Sequence, residues 1–193
     1  MPDTALTEAQ NTEEAPSERM GEPKTGPSVR RVPEGDNRTR LVCPDCGYIE
    51  YDNPKIVVGA ICTWEDRILM CTRAIEPRVG FWTFPAGFLE NNESLTAGAA
   101  REVYEEAGAR VEIGSMIGIY EIPAIHQVQM FWRATLTSPD FSPGEESLDA
   151  RLMDWADIPW DNLAFPAVRW ALECYGRGEA GPQHHVADKA GLD

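Results

Sequence analysis

The sequence predicts an α/β fold of the α+β kind, with strands dominating around two helices. Three observations carry that expectation. Two β-rich apolar runs, KIVVGAICTW and DRILMCTR, meet at Glu65-Asp66; two further strand-like stretches follow Gly108; and two helix-length segments end at glycines. No segment repeats at a fixed period, which excludes a solenoid.

In chain order, Met1 to Thr39 is rich in Glu, Pro, Thr, Ser and Gly and poor in large apolar side chains. It reads as a disordered acidic and polar tail, because it cannot offset its own ordering entropy. Residues 40–54, LVCPDCGYIEYDNPK in context, carry Cys43 and Cys46 at metal-knuckle spacing with Gly47 at the turn. Two ligands fall short of the four a structural zinc takes, and His126, His184 and His185 stand far along the chain.

A domain is expected over 55–176. Its first two apolar runs form a hairpin, with Cys62 and Cys71 as small hydrophobes inside the strands. GFWTFPAGF continues as extended chain broken by Pro85 and Gly87. A helix should start near Ser94 and stop at Gly108, with Leu95, Ala99 or Ala100, and Val103 inward. RVEIGSMIGIYEI and HQVQMFWRATL read as strands joined through Pro123, and RLMDW as a short one. FPAVRWALECYG reads as a closing helix with Gly176 as its stop, and 177–193 as a flexible tail.

Net charge is −15, with 17 Lys and Arg against 32 Asp and Glu. That balance opposes attraction to nucleic acid or anionic membrane, and no run is apolar enough for a membrane helix. Five cysteines without a signal pattern point to a reducing compartment, the cytoplasm.

Five glutamates crowd the stretch GFLENNESLTAGAAREVYEEAGA, Gly87 to Ala109. On a helix Glu102, Glu105 and Glu106 project from nearly one face. They lie in its last turns, where the helix dipole repels negative charge. Spacing alone leaves two readings open: a solvated acidic face, or carboxylate oxygens placed for a hard divalent cation and a phosphate-bearing substrate.

Gly87, five residues, Glu93, seven residues, and then Arg101-Glu102-Val103-Tyr104-Glu105-Glu106-Ala107-Gly108-Ala109 resemble the Nudix box. Every fixed letter is present. The resemblance implies a mixed β-sheet sandwiched between helices (α/β/α) and a pyrophosphohydrolase using Mg²⁺ or Mn²⁺. It also implies that Glu102 and Glu106 are the main metal ligands, joined by Glu105 and the Gly87 carbonyl, while Glu93 and Arg101 brace one another. Glu146, in a stretch similar to the family's late loop, is the implied general base, with Glu145 as alternative. Arg73 and Arg78 are candidates to hold phosphates, and Phe131 and Trp132 to stack on a base, although strand neighbours face opposite ways.

Upstream, VRRVPEGDNRTRLVCPDCGYIEYDNPKIVVGAI resembles the Nudix subgroup with an N-terminal zinc ribbon, which includes FAD and ADP-ribose pyrophosphatases. The ribbon's first CxxC is absent, so a zinc site within one chain lacks two ligands. Two chains of a homodimer could pool their knuckles around one Zn²⁺. Among substrates, FAD or ADP-ribose is expected over NADH or a dinucleoside polyphosphate. Pro123, fifteen residues beyond Gly108, suits the ADP-ribose type. The competing expectation is a non-catalytic module binding an ADP-ribose-like ligand.

Overall fold

The computed structural model describes residues 25–178 and 181–187. The chain divides into two compact units, Met1–Asp52 and Asn53–Asp193.

The described part of the first unit is a three-stranded antiparallel sheet of β1 (Val29–Arg31), β2 (Arg40–Val42) and β3 (Ile49–Glu50), with β2 central. The expected disordered tail therefore does not extend to residue 39; residues 1–24 lie outside the described residues. What orders 25–39 is pairing at a distance, Val29 opposite Val42, together with a turn that Asp36 closes. The Asp36 carboxylate accepts from the Asn37 and Arg38 amides and pairs with Arg40 at 3.0 Å. Those bonds hold its carboxyl below the ordinary range, the Arg40 bond foremost.

Between β2 and β3 the Cys43 amide donates to the Tyr48 carbonyl at 2.8 Å, and the Gly47 amide to the Cys43 carbonyl at 3.0 Å. Gly47 has φ 77°, which a glycine reaches without strain. The Thr25 amide and hydroxyl both donate to Asp45 Oδ2, at 3.1 and 2.8 Å. Hydrogen bonds thus join the chain ahead of β1 to the knuckle.

The second unit is built on a sheet ordered β10-β5-β4-β9-β8-β11: β10 (Ser147–Met153), β5 (Arg67–Arg73), β4 (Lys55–Trp64), β9 (Gln127–Leu136), β8 (Val111–Ile122) and β11 (Gln183–Val186). Short β6 (Trp82–Thr83) and β7 (Ala86–Phe88) add onto β5 and β4. The β4–β9 and β8–β11 pairs are parallel and the rest antiparallel, so the sheet is mixed.

The apolar runs of β4 and β5 are continuous rather than alternating because both sheet faces are covered. Ile61, Ile68 and Met70 pack with Ala167, Val168, Ala171 and Leu172 of α2 (Pro166–Gly176). On the other face Ala60, Cys62, Leu69 and Cys71 pack with Val103 and Ala107 of α1 (Leu95–Ala107). The small side chains beneath α1 let that helix approach the strands closely. Both cysteines are buried free thiols, pushed upward mainly by burial, Cys71 to about 12.

Three further expectations need correction. The C-terminal segment is not a flexible tail throughout: 183–186 form β11, parallel to β8, with Gln183 opposite Gly118 and the His185 ring stacked on Tyr120 at 4.7 Å. A side chain at 118 would overlap the Gln183 carbonyl, so the glycine admits this edge strand. Of RLMDW only residues 151–153 are strand, the end of the longer β10, while Trp155 opens a 3-10 turn; and Gly176 is the last helical residue, with Arg177 as the cap. A Cβ at 176 would overlap the Trp155 ring.

Candidate active site

The box helix is set by local signals. Ser94 Oγ accepts from the Ala97 amide at its start, and Gly108, φ 59°, ends it in the left-handed conformation. Its inward face carries Gly98, Ala99, Val103 and Ala107, and with them Glu102 and Glu106, each 7% exposed. Two carboxylates therefore sit where apolar side chains would be ordinary.

Room for Glu102 comes from Gly87, where any Cβ would overlap its carboxylate. Gly87 itself is fixed by β7, which pairs with β4 at Val58.

Arg101 gathers the remaining acids. It grips Glu93 in a fork, Nε to Oε2 at 3.1 Å and one Nη to Oε1 at 2.8 Å, and donates to the Phe88 carbonyl at 2.9 Å. Its other Nη meets Glu102 at 2.8 Å and Glu105 at 2.7 Å. Glu93 Oε1 also accepts from the Glu90 amide at 2.7 Å, fastening the loop before the helix. The Arg101 bond is the main reason that the Glu93 carboxyl lies below its ordinary range, and Glu93 in turn raises the guanidinium.

Glu106 is beyond this cation's reach. Burial foremost, then the Glu102 charge, pushes its carboxyl up to about 8, against the opposing Ala86 amide and Arg73 charge. Its Oε2 is buried with no hydrogen-bond partner among the described residues. Glu102 is also raised, again mainly by burial, with Arg101 opposing.

A loop brings more carboxylate to the same place. The Ser142 and Gly144 amides donate to the Ala107 and Glu106 carbonyls at 2.9 Å, satisfying the helix C-terminus. At 144 a Cβ would overlap the Glu105 carbonyl, so only glycine lets the chain pass there. Glu145 and Glu146 follow at once and line a cavity of about 990 Å³ with Glu102, Glu105 and Glu106.

The opposite wall of that cavity is apolar, with Phe84, Ile122, Ile125, Phe131 and Phe165. Phe131 meets Phe84 edge to face at 5.0 Å. Trp132 points to the other side of the sheet, against Val58 and Ala99, because β9 side chains alternate; it does not line the cavity. Arg73 lines it, stacked over Phe165 at 5.1 Å and donating to the Pro77 carbonyl. Arg78 lies over the Phe81 ring and is not among the lining residues. The sequence reading missed Gln127 and Gln129, whose signal was their alternation with Phe131 along one strand.

The donor set suits a hard divalent cation: carboxylate oxygens, one of them buried without a partner, in a cradle that a Cβ would fill. Among the described residues, however, no three His, Cys, Asp or Glu side chains converge on one point, since Arg101 draws Glu93, Glu102 and Glu105 to itself. At the knuckle, buried Cys43 and exposed Cys46 supply only two sulfurs, and zinc does not fit within one chain. The Cys46 amide, directed at Cys43, is the main cause holding that thiol below its ordinary range.

The NUDIX domain model matches residues 53–171, and the Nudix N-terminal model matches residues 25–52. The chain belongs to the Nudix hydrolase family. The fold agrees: a crystal structure of a NUDIX hydrolase from Nitrosomonas europaea is 46% identical and superposes with a TM-score of 0.78, over 84% of this chain and 94% of that one. The Nudix relatives include the ADP-ribose pyrophosphatase of Methanocaldococcus jannaschii, 26% identical over 61% of this chain and 71% of that protein. Another is the NAD-capped RNA hydrolase NudC of Pseudomonas aeruginosa, 30% identical over 69% of this chain and 45% of that protein. The chain spans under half the length of most of the curated relatives it matches. Among the described residues no helix is long and apolar enough to cross a membrane.

Proposed function

We propose that this chain hydrolyses the pyrophosphate bond of a nucleoside diphosphate joined to a second moiety, with ADP-ribose preferred and FAD next. The observation that carries this reading is the buried, unpartnered Glu106 oxygen beside Glu102 in a large half-apolar cavity. Glu102 leans on Arg101, but the Glu106 carboxylate is not at ease there without a cation, and the apolar wall suits a base and sugar rather than a bare phosphate.

Glu102 and Glu106, with Glu105 and the Gly87 carbonyl, would hold Mg²⁺ or Mn²⁺. Bound there, the ion would lower the pKa of a water and offset the charge of the diphosphate. The protein's own residues do the rest. Gly87 keeps the floor bare for the Glu102 carboxylate. The Glu93–Arg101 fork fixes the loop and holds Glu102 and Glu105 until the substrate complex competes for them. Glu146 takes the proton of the attacking water, with Glu145 its alternative, both carried in by the Gly144 passage. Arg73 steadies a phosphate at the rim, while Phe131, 1% exposed and packed edge to face on Phe84, backs the apolar wall rather than stacking on the base. Water enters at phosphorus and the P–O–P bridge breaks, giving AMP and ribose 5-phosphate from ADP-ribose.

Five free thiols fit a cytoplasmic enzyme. If the Cys43–Cys46 knuckle holds zinc at all, a homodimer pooling two knuckles is the arrangement that supplies four thiolates. The test of function is a Mg²⁺-dependent screen over ADP-ribose, FAD, NADH, diadenosine polyphosphates and nucleoside triphosphates. Cleavage of ADP-ribose or FAD ahead of the others supports the reading. Cleavage of none defeats it, and tight binding of ADP-ribose without turnover favours a binding module instead.

A further inference from the structure

The N-terminal unit matches a zinc-ribbon segment over residues 25–52, yet it brings only two sulfurs to its knuckle. Among the described residues no third His, Cys, Asp or Glu joins them, and a structural zinc takes four ligands. Both thiols of CPDC nevertheless stand in one turn, and the hydrolytic site makes no use of them.

That turn places them as partners for each other. The Gly47 amide donates to the Cys43 carbonyl at 3.0 Å, closing a single helix-like turn over 43–47. Residues three apart on such a turn stand about 5 to 6 Å from one another, inside the span that a disulfide bridges. The Cys46 side chain is in hydrogen-bond contact with the Cys43 sulfur, and the Asp45 and Cys46 amides are directed at the same atom. The two sulfurs therefore face one another across the turn, unbonded and ready to join.

The pair is also asymmetric. Cys43 is 1% exposed, whereas Cys46 alone of the five cysteines is exposed. A bulky reagent reaches Cys46 and not Cys43, and Cys62, Cys71 and Cys174 are shut away in the other unit.

We propose that Cys43 and Cys46 are a reversible thiol–disulfide site that exchanges with low-molecular-weight disulfides of the glutathione class. Cys46 loses its proton and its sulfur attacks one sulfur of glutathione disulfide, expelling one glutathione, which takes up a proton. Cys43 then loses its proton and attacks the Cys46 sulfur, expelling the second glutathione. Two protein thiols are oxidised to one disulfide and one glutathione disulfide is reduced to two thiols. A pair of this kind in a reducing compartment reports redox state rather than holding the fold together.

The test begins with elemental analysis of protein purified under reductant. The protein is then exposed to mixtures of glutathione disulfide and reduced glutathione, quenched in acid, alkylated and read by peptide mass spectrometry. Expected is a Cys43–Cys46 disulfide that forms at least about tenfold faster than any reaction of the three buried thiols and reverses in excess reduced glutathione. Cys43→Ser should stop at a lasting glutathione adduct on Cys46, and Cys46→Ser should leave Cys43 unreacted, with thermal melting to show that both variants fold. A wild-type adduct that persists on Cys46, buried thiols that react as fast, or a Cys46→Ser variant whose Cys43 reacts readily would overturn the proposal. So would zinc near one per two chains that must be stripped before the pair reacts, since the knuckle is then a metal site.

Discussion

Replacing Glu106 with Gln should stabilise the metal-free protein, and by an amount that grows with pH. In the folded chain the Glu106 carboxyl is pushed from 4.5 up to about 8 by burial and by Glu102. A raised folded pKa means the native state keeps a proton that the unfolded chain releases. The favourable contribution is thus complete below about pH 4.5 and is lost as pH climbs to about 8. At about 1.4 kcal/mol per pH unit, that gap is worth about 5 kcal/mol at most, and structural relaxation will reduce it. Glutamine keeps the shape without the charge. Urea unfolding of wild type and Glu106→Gln in EDTA, from pH 5 to 8.5, should show the variant gaining on wild type by about 2 to 5 kcal/mol over that range. Adding Mg²⁺ at pH 8 should then stabilise wild type and leave the variant nearly unmoved. A stability difference that stays flat with pH would refute the claim that Glu106 is a strained buried acid.

Gly87→Ala should lower kcat by about a hundredfold or more with little loss of melting temperature, since its Cβ overlaps the Glu102 carboxylate rather than core. Arg101→Ala should free Glu93 and Glu105 and cost both stability and turnover, about 1 to 3 kcal/mol in unfolding; an unchanged melt would show the fork to be idle. Gly144→Ala should disturb the loop that delivers Glu145 and Glu146, and a variant with wild-type kcat would remove that loop from the account. Elemental analysis of freshly purified protein should find no zinc at one per chain, and a ratio near one per two chains would establish the pooled knuckle instead.

What was legible in the sequence was local. Ser94 and Gly108 bound the helix through bonds within a turn of it, and Glu65, φ 54°, marks the β4–β5 turn as expected. Strands β1 and β11 were not legible, because three or four residues carry little pattern and their order comes from distant partners, Val42 and Gly118. The motif gave the acids but not their burial. A carboxylate on a helix reads as solvent-facing, and only Gly87 across the loop explains how Glu102 fits beneath. Alternation along HQVQMFW predicted that one of Phe131 and Trp132 would miss the cavity; packing of α1 against β9 decided that it is Trp132.

Turnover of ADP-ribose as a function of added Mg²⁺, for wild type and Glu106→Gln at pH 8, bears most directly on the central claim. The account predicts saturable, Mg²⁺-dependent release of AMP and ribose 5-phosphate by wild type and a loss of about a hundredfold or more in the variant. Equal rates for the two proteins, or hydrolysis indifferent to EDTA, would contradict it.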